Sequence, residues 1–310
     1  MAAVQSAGEL VASPPLSLPK ERFRKSARHP LASAFVRTYR NPLGFFGLAI
    51  LGLLVSAAIA APLISPYDPI VQHQGRELLG PNSQFWFGTD ELGRDLVSRI
   101  IYGTRPSLVV ALMVVGIGGG LGILAGLAAG YFGGWVEAVL MRLFDALFAF
   151  PPVMLGFVVI AALGPGTAQV AYAIALSQVP SLGRVTRSLV LKERHRDYVL
   201  AAQCVGSSSG RVMFLHVLPN AFAPLIVNMA LLMGFSVLAE ASLAFLGLGT
   251  QPPTPSWGSM LNASRAYLRV DPWMAIGPGV VLALLLLGLN YLADALRDAF
   301  DPRRVNAGLG

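Results

Sequence analysis

The sequence predicts an all-α polytopic membrane protein with six transmembrane helices. Three observations carry that expectation. Of 310 residues, 55% are hydrophobic and 13% charged, about half the charge usual in a soluble domain, which leaves too little polar surface to face water. The apolar residues arrive in blocks of about twenty, the length a helix needs to cross a hydrocarbon core of roughly 30 Å. The basic residues gather at the block ends. The net charge of +7 therefore reads as retention of Lys and Arg on the cytoplasmic side of short loops. A nucleic-acid surface would need bases clustered on a soluble face with groups that read or stack on nucleotides.

Residues 1–41 form a polar tail rich in Ala, Ser, Pro and basic residues, whose first thirty residues are expected to be disordered. Residues 42–106 hold the first span, about Leu43 to Ala61, and an external loop. Pro62 stops that span, and Pro66 and Pro69 keep a helix from resuming. The span is long and internal, unlike a cleavable signal. Residues 107–293 form a core of five further spans. The second, Ser107 to Ala129, starts after Pro106 and carries Gly118, Gly122, Gly126 and Gly130 at every fourth position, a strip that lets another helix backbone approach. The third, Leu143 to Leu163, is interrupted by Pro151-Pro152, and Gly164-Pro165-Gly166 turns the chain into a fourth, Thr167 to Thr186. Ser177, Gln178, Pro180 and Ser181 make that fourth span the least apolar, suited to facing helices or an aqueous path. A cytoplasmic loop of about 187–220 precedes the fifth span, Ala221 to Leu246. Trp273 to Ala293 is the sixth, and 294–310 a charged tail.

With both termini inside, the cytoplasmic segments hold 17 of the 23 Lys and Arg residues, as the positive-inside rule requires. Merging the third and fourth spans into one re-entrant unit preserves this sidedness. Charge alone does not establish six.

Catalytic readings find little support. The lysines are Lys20, Lys25 and Lys192, and none ends a glycine-rich phosphate loop, so the chain is not expected to hydrolyse ATP. His29, His73, His195 and His216 lack metal-ligand spacing, and Cys204 is the single cysteine, which excludes a disulfide framework or a cysteine-built metal site. No nucleophile elbow or carboxylate pair is evident. No catalytic residue, metal site or cofactor is therefore expected in this chain.

The most informative stretch is the cytoplasmic loop, Asp197-Tyr198-Val199-Leu200-Ala201-Ala202-Gln203-Cys204-Val205-Gly206, then nine residues, then His216-Val217-Leu218-Pro219-Asn220. It resembles the signature loop of binding-protein-dependent ABC importer permeases: Glu-Ala-Ala, three residues, Gly, nine residues, Ile, one residue, Leu-Pro. Ala201, Ala202, Gly206, Leu218 and Pro219 match in register, while Leu200 stands at the Glu position and His216 at the Ile position. Gly206 lets two short helices turn sharply, and the serines at 207–209 can cap the second. The resemblance implies a type I permease fold in the bacterial inner membrane, docked through this knob onto ATPase subunits that carry ATP and Mg.

Further segments resemble the dipeptide, oligopeptide and nickel branch of that family. They are Phe87-Gly88-Thr89-Asp90-Glu91-Leu92-Gly93-Arg94-Asp95, Tyr102-Gly103-Thr104-Arg105, Asn41-Pro42-Leu43-Gly44, Phe245-Leu246-Gly247-Leu248-Gly249 and the stretch Leu296 to Arg303. The resemblance implies a homologous second permease, two ATP-binding subunits and an extracytoplasmic binding protein as partners, with peptides as cargo. Nickel or glutathione is the alternative within the family, and a self-sufficient secondary transporter the alternative outside it. From its residues, the 87–95 segment reads as an amphipathic interfacial helix capped by Thr89. Its role is structural support or, with the Gln251 to Asp271 loop, binding-protein docking through Asp90, Arg94, Asp95 and Trp257.

Charges within spans are costly and so informative. Asp145 is expected to pair with Arg142 one turn earlier. Glu240 has no basic residue within a turn, and either lines the path or stabilises the interface with a second permease. Asp145, Gln178 and Asn228 are the other candidates for path or interface.

Overall fold

A computed structural model describes residues 36–300 of the chain. The predicted disorder of the first thirty residues lies outside the described residues, as does the end of the carboxyl tail. The described residues are helical and loop, with no strand beyond one isolated bridge.

Helix α1, Pro42–Ile64, begins where the Asn41 side chain accepts from the Leu43 N–H at 3.0 Å and proline occupies the first turn, an arrangement that satisfies one orphan donor and needs no other. Pro62 sits inside its last turn instead of ending it. The outer loop follows. Its 87–95 segment is not the expected amphipathic helix but a set of tight turns, because its polar side chains bind loop backbone. The Thr89 hydroxyl donates to the Arg76 carbonyl at 2.5 Å and accepts from the Leu79 N–H at 3.0 Å.

The helix start falls instead at Asp95, whose carboxylate accepts from the Ser98 N–H at 2.8 Å and hydroxyl at 2.6 Å. Helix α2, Leu96–Met113, thus starts well before the expected Ser107 and carries Pro106 in its interior. It runs on through a π-helical stretch, Val114–Gly119, into α3, Gly120–Phe132. The three form one apolar run of 37 residues.

Helices α4, Gly134–Phe148, and α5, Pro152–Leu163, meet at an elbow of 90°, since Pro151 and Pro152 cannot continue the hydrogen-bond ladder. Helix α6, Thr167–Glu193, extends beyond the expected Thr186. Two short helices, α7, Asp197–Cys204, and α8, Ser209–Val212, lead through a second π-helical stretch, Met213–Val217, into α9, Leu218–Phe245. From Ser209 to Phe245 this is again one apolar run of 37 residues. The outer helix α10, Trp257–Ser264, carries a capping box in which Ser256 and Ser259 bond reciprocally, and α11, Trp273–Phe300, completes the fold.

Four runs, beginning at Pro42, Leu96, Ser209 and Trp273, are long and apolar enough to cross a bilayer, and the α4–α5 elbow makes a fifth candidate if counted as one broken span. Helix α6 is long enough but too polar to count with them. Helices α2 and α9 form the spine, because each supplies residues to both main cores. Val110, with Leu225 and Leu232, meets α5 and α6, while Ala111 with Val237 and Ala241 meets α1, α10 and α11. The glycine strip lies against α6. A Cβ would come within 2.7 Å of Ala175 O at Gly118, 2.8 Å of Val179 O at Gly122, 2.3 Å of Gly183 O at Gly126 and 2.8 Å of Val190 Cβ at Gly130. Only hydrogen fits between these backbones.

Candidate functional site

The signature loop folds into a knob mounted on the ends of α3 and α6. Val199, Val212, Met213 and Val217 bury their side chains against Leu127 and Val190. Ala202 and Leu218 pack onto the same cluster. Gly206 turns α7 into α8 with φ +82°, a conformation that costs an L side chain but not glycine. The Ser207 N–H returns to the Ala202 carbonyl at 3.1 Å, and the Ser208 hydroxyl accepts from the Arg211 N–H at 3.4 Å. Tyr198 donates to Glu193 at 2.7 Å; burial, then the Glu193 carboxylate, push its phenol up to about 12. It stays neutral and ties α7 to the end of α6. His216 lies half-buried in the π-helical stretch and Pro219 stands exposed in the first turn of α9.

The knob's outer face carries Ala201, Leu200, Val205, Phe214 and Leu215 at the surface, with Val205 82% exposed. A rigid, apolar, outward-facing knob at a helix-bundle end is suited to a protein groove.

Within the bundle, Gln178 and Asn228 come together in one groove of about 220 Å³ between α6 and α9, beside Ser181 and Phe235. The Asn228 amide donates to the Pro224 carbonyl at 2.8 Å. Asp145 does not pair with Arg142 as expected. Its partner is Arg184 of α6, at 2.5 Å, because the elbow lays α4 alongside α6, so cross-helix geometry outcompetes the intrahelical spacing. The Arg184 guanidinium also stacks over the Phe148 ring at 4.4 Å. One turn further along α6, Arg187 pairs with Glu137.

Glu240 is turned inward, 1% exposed, accepting from the Ser107 hydroxyl of α2 at 3.0 Å. Within this chain it meets a polar group on a neighbouring helix, as a span charge without a local base requires. The four docking candidates are likewise internal. Asp90, Arg94, Asp95 and Trp257 are 2%, 6%, 1% and 0% exposed. Asp90 bridges Arg94 at 2.6 Å and Arg99 at 3.2 Å; Trp257 donates through Nε1 to the Ile100 carbonyl at 3.0 Å. These residues hold the outer loops onto α2, and burial removes them from any landing surface. The exposed apolar residues of these loops include Trp86, Leu92, Leu268 and Val270.

Residues 122–306 match the family described as the binding-protein-dependent transport system inner membrane component. The chain belongs to this permease family. Residues 29–81 also match the N-terminal transmembrane domain of oligopeptide transport permease C. Among relatives, the permease is 40% identical over 291 residues to the dipeptide transport system permease protein DppC of Alkalihalophilus pseudofirmus, covering 94% of each chain. It is 43% identical to the di/tripeptide permease DppC of Pseudomonas aeruginosa, across 90% of this chain and 94% of that one. It is 38% identical to the glutathione permease GsiD of Pectobacterium atrosepticum, across 90% and 93%. The permease is thus a multi-pass inner-membrane transport component.

Sequence reasoning missed two residues of these sites. Arg184 lay within the fourth span as read from the sequence, three residues after Ser181, but nothing in the local pattern linked it to Asp145 on a different helix. Ser107, taken as a helix start, has no sequence signal linking it to Glu240.

Proposed function

We infer that the chain is one of two permease subunits of an ATP-driven peptide importer, crossing the membrane six times with both termini cytoplasmic. The observation that carries this reading is the knob, a family-type loop locked by its own buried cluster and presenting Val205, Phe214 and Leu215 outward. Relatives named for dipeptides, di/tripeptides and glutathione, itself a tripeptide, point to short peptides as cargo. Counting α6 and the elbow as spans gives six crossings. ATPase subunits seated on the knob would move it as a rigid body, shifting the bundle between outward-open and inward-open states. An extracytoplasmic binding protein would deliver the peptide to the outer loops.

The test is reconstitution of the complete complex in proteoliposomes with binding protein outside and ATP inside. Radiolabelled di- or tripeptide should accumulate only with ATP. Gradient-driven uptake by this chain alone would overturn the reading. A cysteine at Val205 in a Cys204→Ser background should crosslink to an ATPase subunit, and its failure to do so with the assembled complex would remove the docking assignment.

A further inference from the structure

The Asp145–Arg184 pair lies where a charge needs a reason. Arg184 sits nine residues before the end of α6 at Glu193, about 14 Å along the helix at 1.5 Å per residue, and two residues before the end of the span expected at Thr186. Yet its side chain is 47% exposed and that of Asp145 58%. A half-open charge pair near the end of a span is stable where its face meets water or protein instead of lipid. The same side of α6 carries Gln178, Ser181 and Ser188, the last two exposed. The polar stripe from Gln178 to Ser188 is about 15 Å long, the length of four or five residues of extended peptide. At its outer end Gln178 and Asn228 flank the groove between α6 and α9. Arg184 is the cation on that stripe, held in place by the Phe148 ring and neutralised at rest by Asp145.

We propose that Arg184 binds the carboxylate of a peptide in transit, Asp145 being the resting counter-ion that the carboxylate displaces. This rests on the importer reading above. A guanidinium fixed on an aromatic face presents its remaining donors to a carboxylate with little ordering cost. Arg184 stays paired throughout the exchange, while the displaced Asp145 carboxylate, 58% exposed at rest, is left to solvent and repels the bound carboxylate, which favours release. Asp145 then recaptures Arg184, which lets the ligand leave rather than remain trapped. Gln178, Ser181 and Asn228 would bond peptide amides without regard to side chain.

The test uses the complete complex in proteoliposomes at saturating binding protein, with tri-alanine and its carboxyl-terminal amide as probes. Wild-type uptake of tri-alanine is measured first; its absence removes the importer reading itself. Given wild-type uptake, Arg184→Gln should lower the tri-alanine rate about tenfold, the loss expected for one charge-assisted bond. The amide, whatever its wild-type rate, should be transported equally by both proteins. The charge-swapped double variant, Arg184→Asp with Asp145→Arg, separates binding from structure. It rebuilds the ion pair but misplaces the cation, so uptake should stay low. Recovery of wild-type uptake by the swap would show that the pair only braces α4 against α6 and would overturn the proposal. So would an Arg184→Gln rate within twofold of wild type. Where Arg184→Gln fails to assemble, Arg184→Lys, which keeps the charge, replaces it; its uptake of tri-alanine should exceed that of the swap.

Discussion

At the residue scale, buried polar side chains fasten one helix to another. Glu240 shows this most clearly. Its one partner is Ser107, its other oxygen is buried without a hydrogen bond, and it joins the two spine helices. Glu240→Gln preserves volume and the acceptor for Ser107, and should change stability by less than about 1 kcal/mol. Glu240→Ala opens a cavity and strands the Ser107 hydroxyl, and should cost about 3 kcal/mol. Unfolding of the purified protein in detergent distinguishes them; equal losses would show that Ser107 does not depend on the acceptor. Asp271 makes a different case. It accepts from the Trp273 N–H at 3.0 Å through one oxygen, while the other is buried and unpartnered. Burial raises its pKa above the usual carboxylate value. The folded state therefore holds the proton more tightly than the unfolded chain, and stability falls as pH rises through the interval between the two pKa values. Asp271→Asn should stabilise the outer loop at neutral pH and remove that part of the acid-side dependence. A variant whose pH profile parallels the wild type would exclude Asp271 as the source.

At the scale of elements, the glycine strip and the knob were legible in the sequence because each depends on spacing within one segment. Gly126→Val should destabilise the α3–α6 contact by more than about 3 kcal/mol, since backbone at Gly183 cannot retreat as a side chain can. At Gly120 a Cβ meets open space, so Gly120→Val should assemble normally. Yields of folded, detergent-extracted protein for the pair test whether the strip acts through packing. What the sequence did not disclose were features that depend on another segment. Pro106 reads as a helix start, but Asp95 supplies a stronger cap upstream, and a proline inside a membrane helix is tolerated where neighbours re-satisfy the backbone. The 87–95 segment has helical capping chemistry, yet its hydroxyl and carboxylates are consumed by loop carbonyls and by Arg94 and Arg99. Asp145 chose Arg184 over Arg142 because the elbow created a neighbour that no local pattern could announce.

For the whole molecule, the coupling proposed above would require the knob to move as one piece with the bundle. Gly206 is the point at which that unity can be tested, because its φ of +82° strains any β-branched replacement by roughly 1–3 kcal/mol while its surroundings are open. Gly206→Val should leave the spans inserted and the complex assembled but lower peptide uptake per ATP hydrolysed. An unchanged ratio of uptake to hydrolysis would argue that the turn plays no part in transmission.

The run from Ser209 to Phe245 sets a mechanical scale. A helix of that many residues is about 55 Å long. If it pivots near its cytoplasmic end, a tilt of about 5° would carry the far end by about 5 Å, roughly the width of a peptide backbone, from the same lever-arm geometry. The motion demanded at the knob is correspondingly slight, so a small rotation on the inside suffices to change an aperture on the outside. On the proposed mechanism, amplification would be a property of length, and shortening or hinging that run should weaken transport without touching a single contact with cargo.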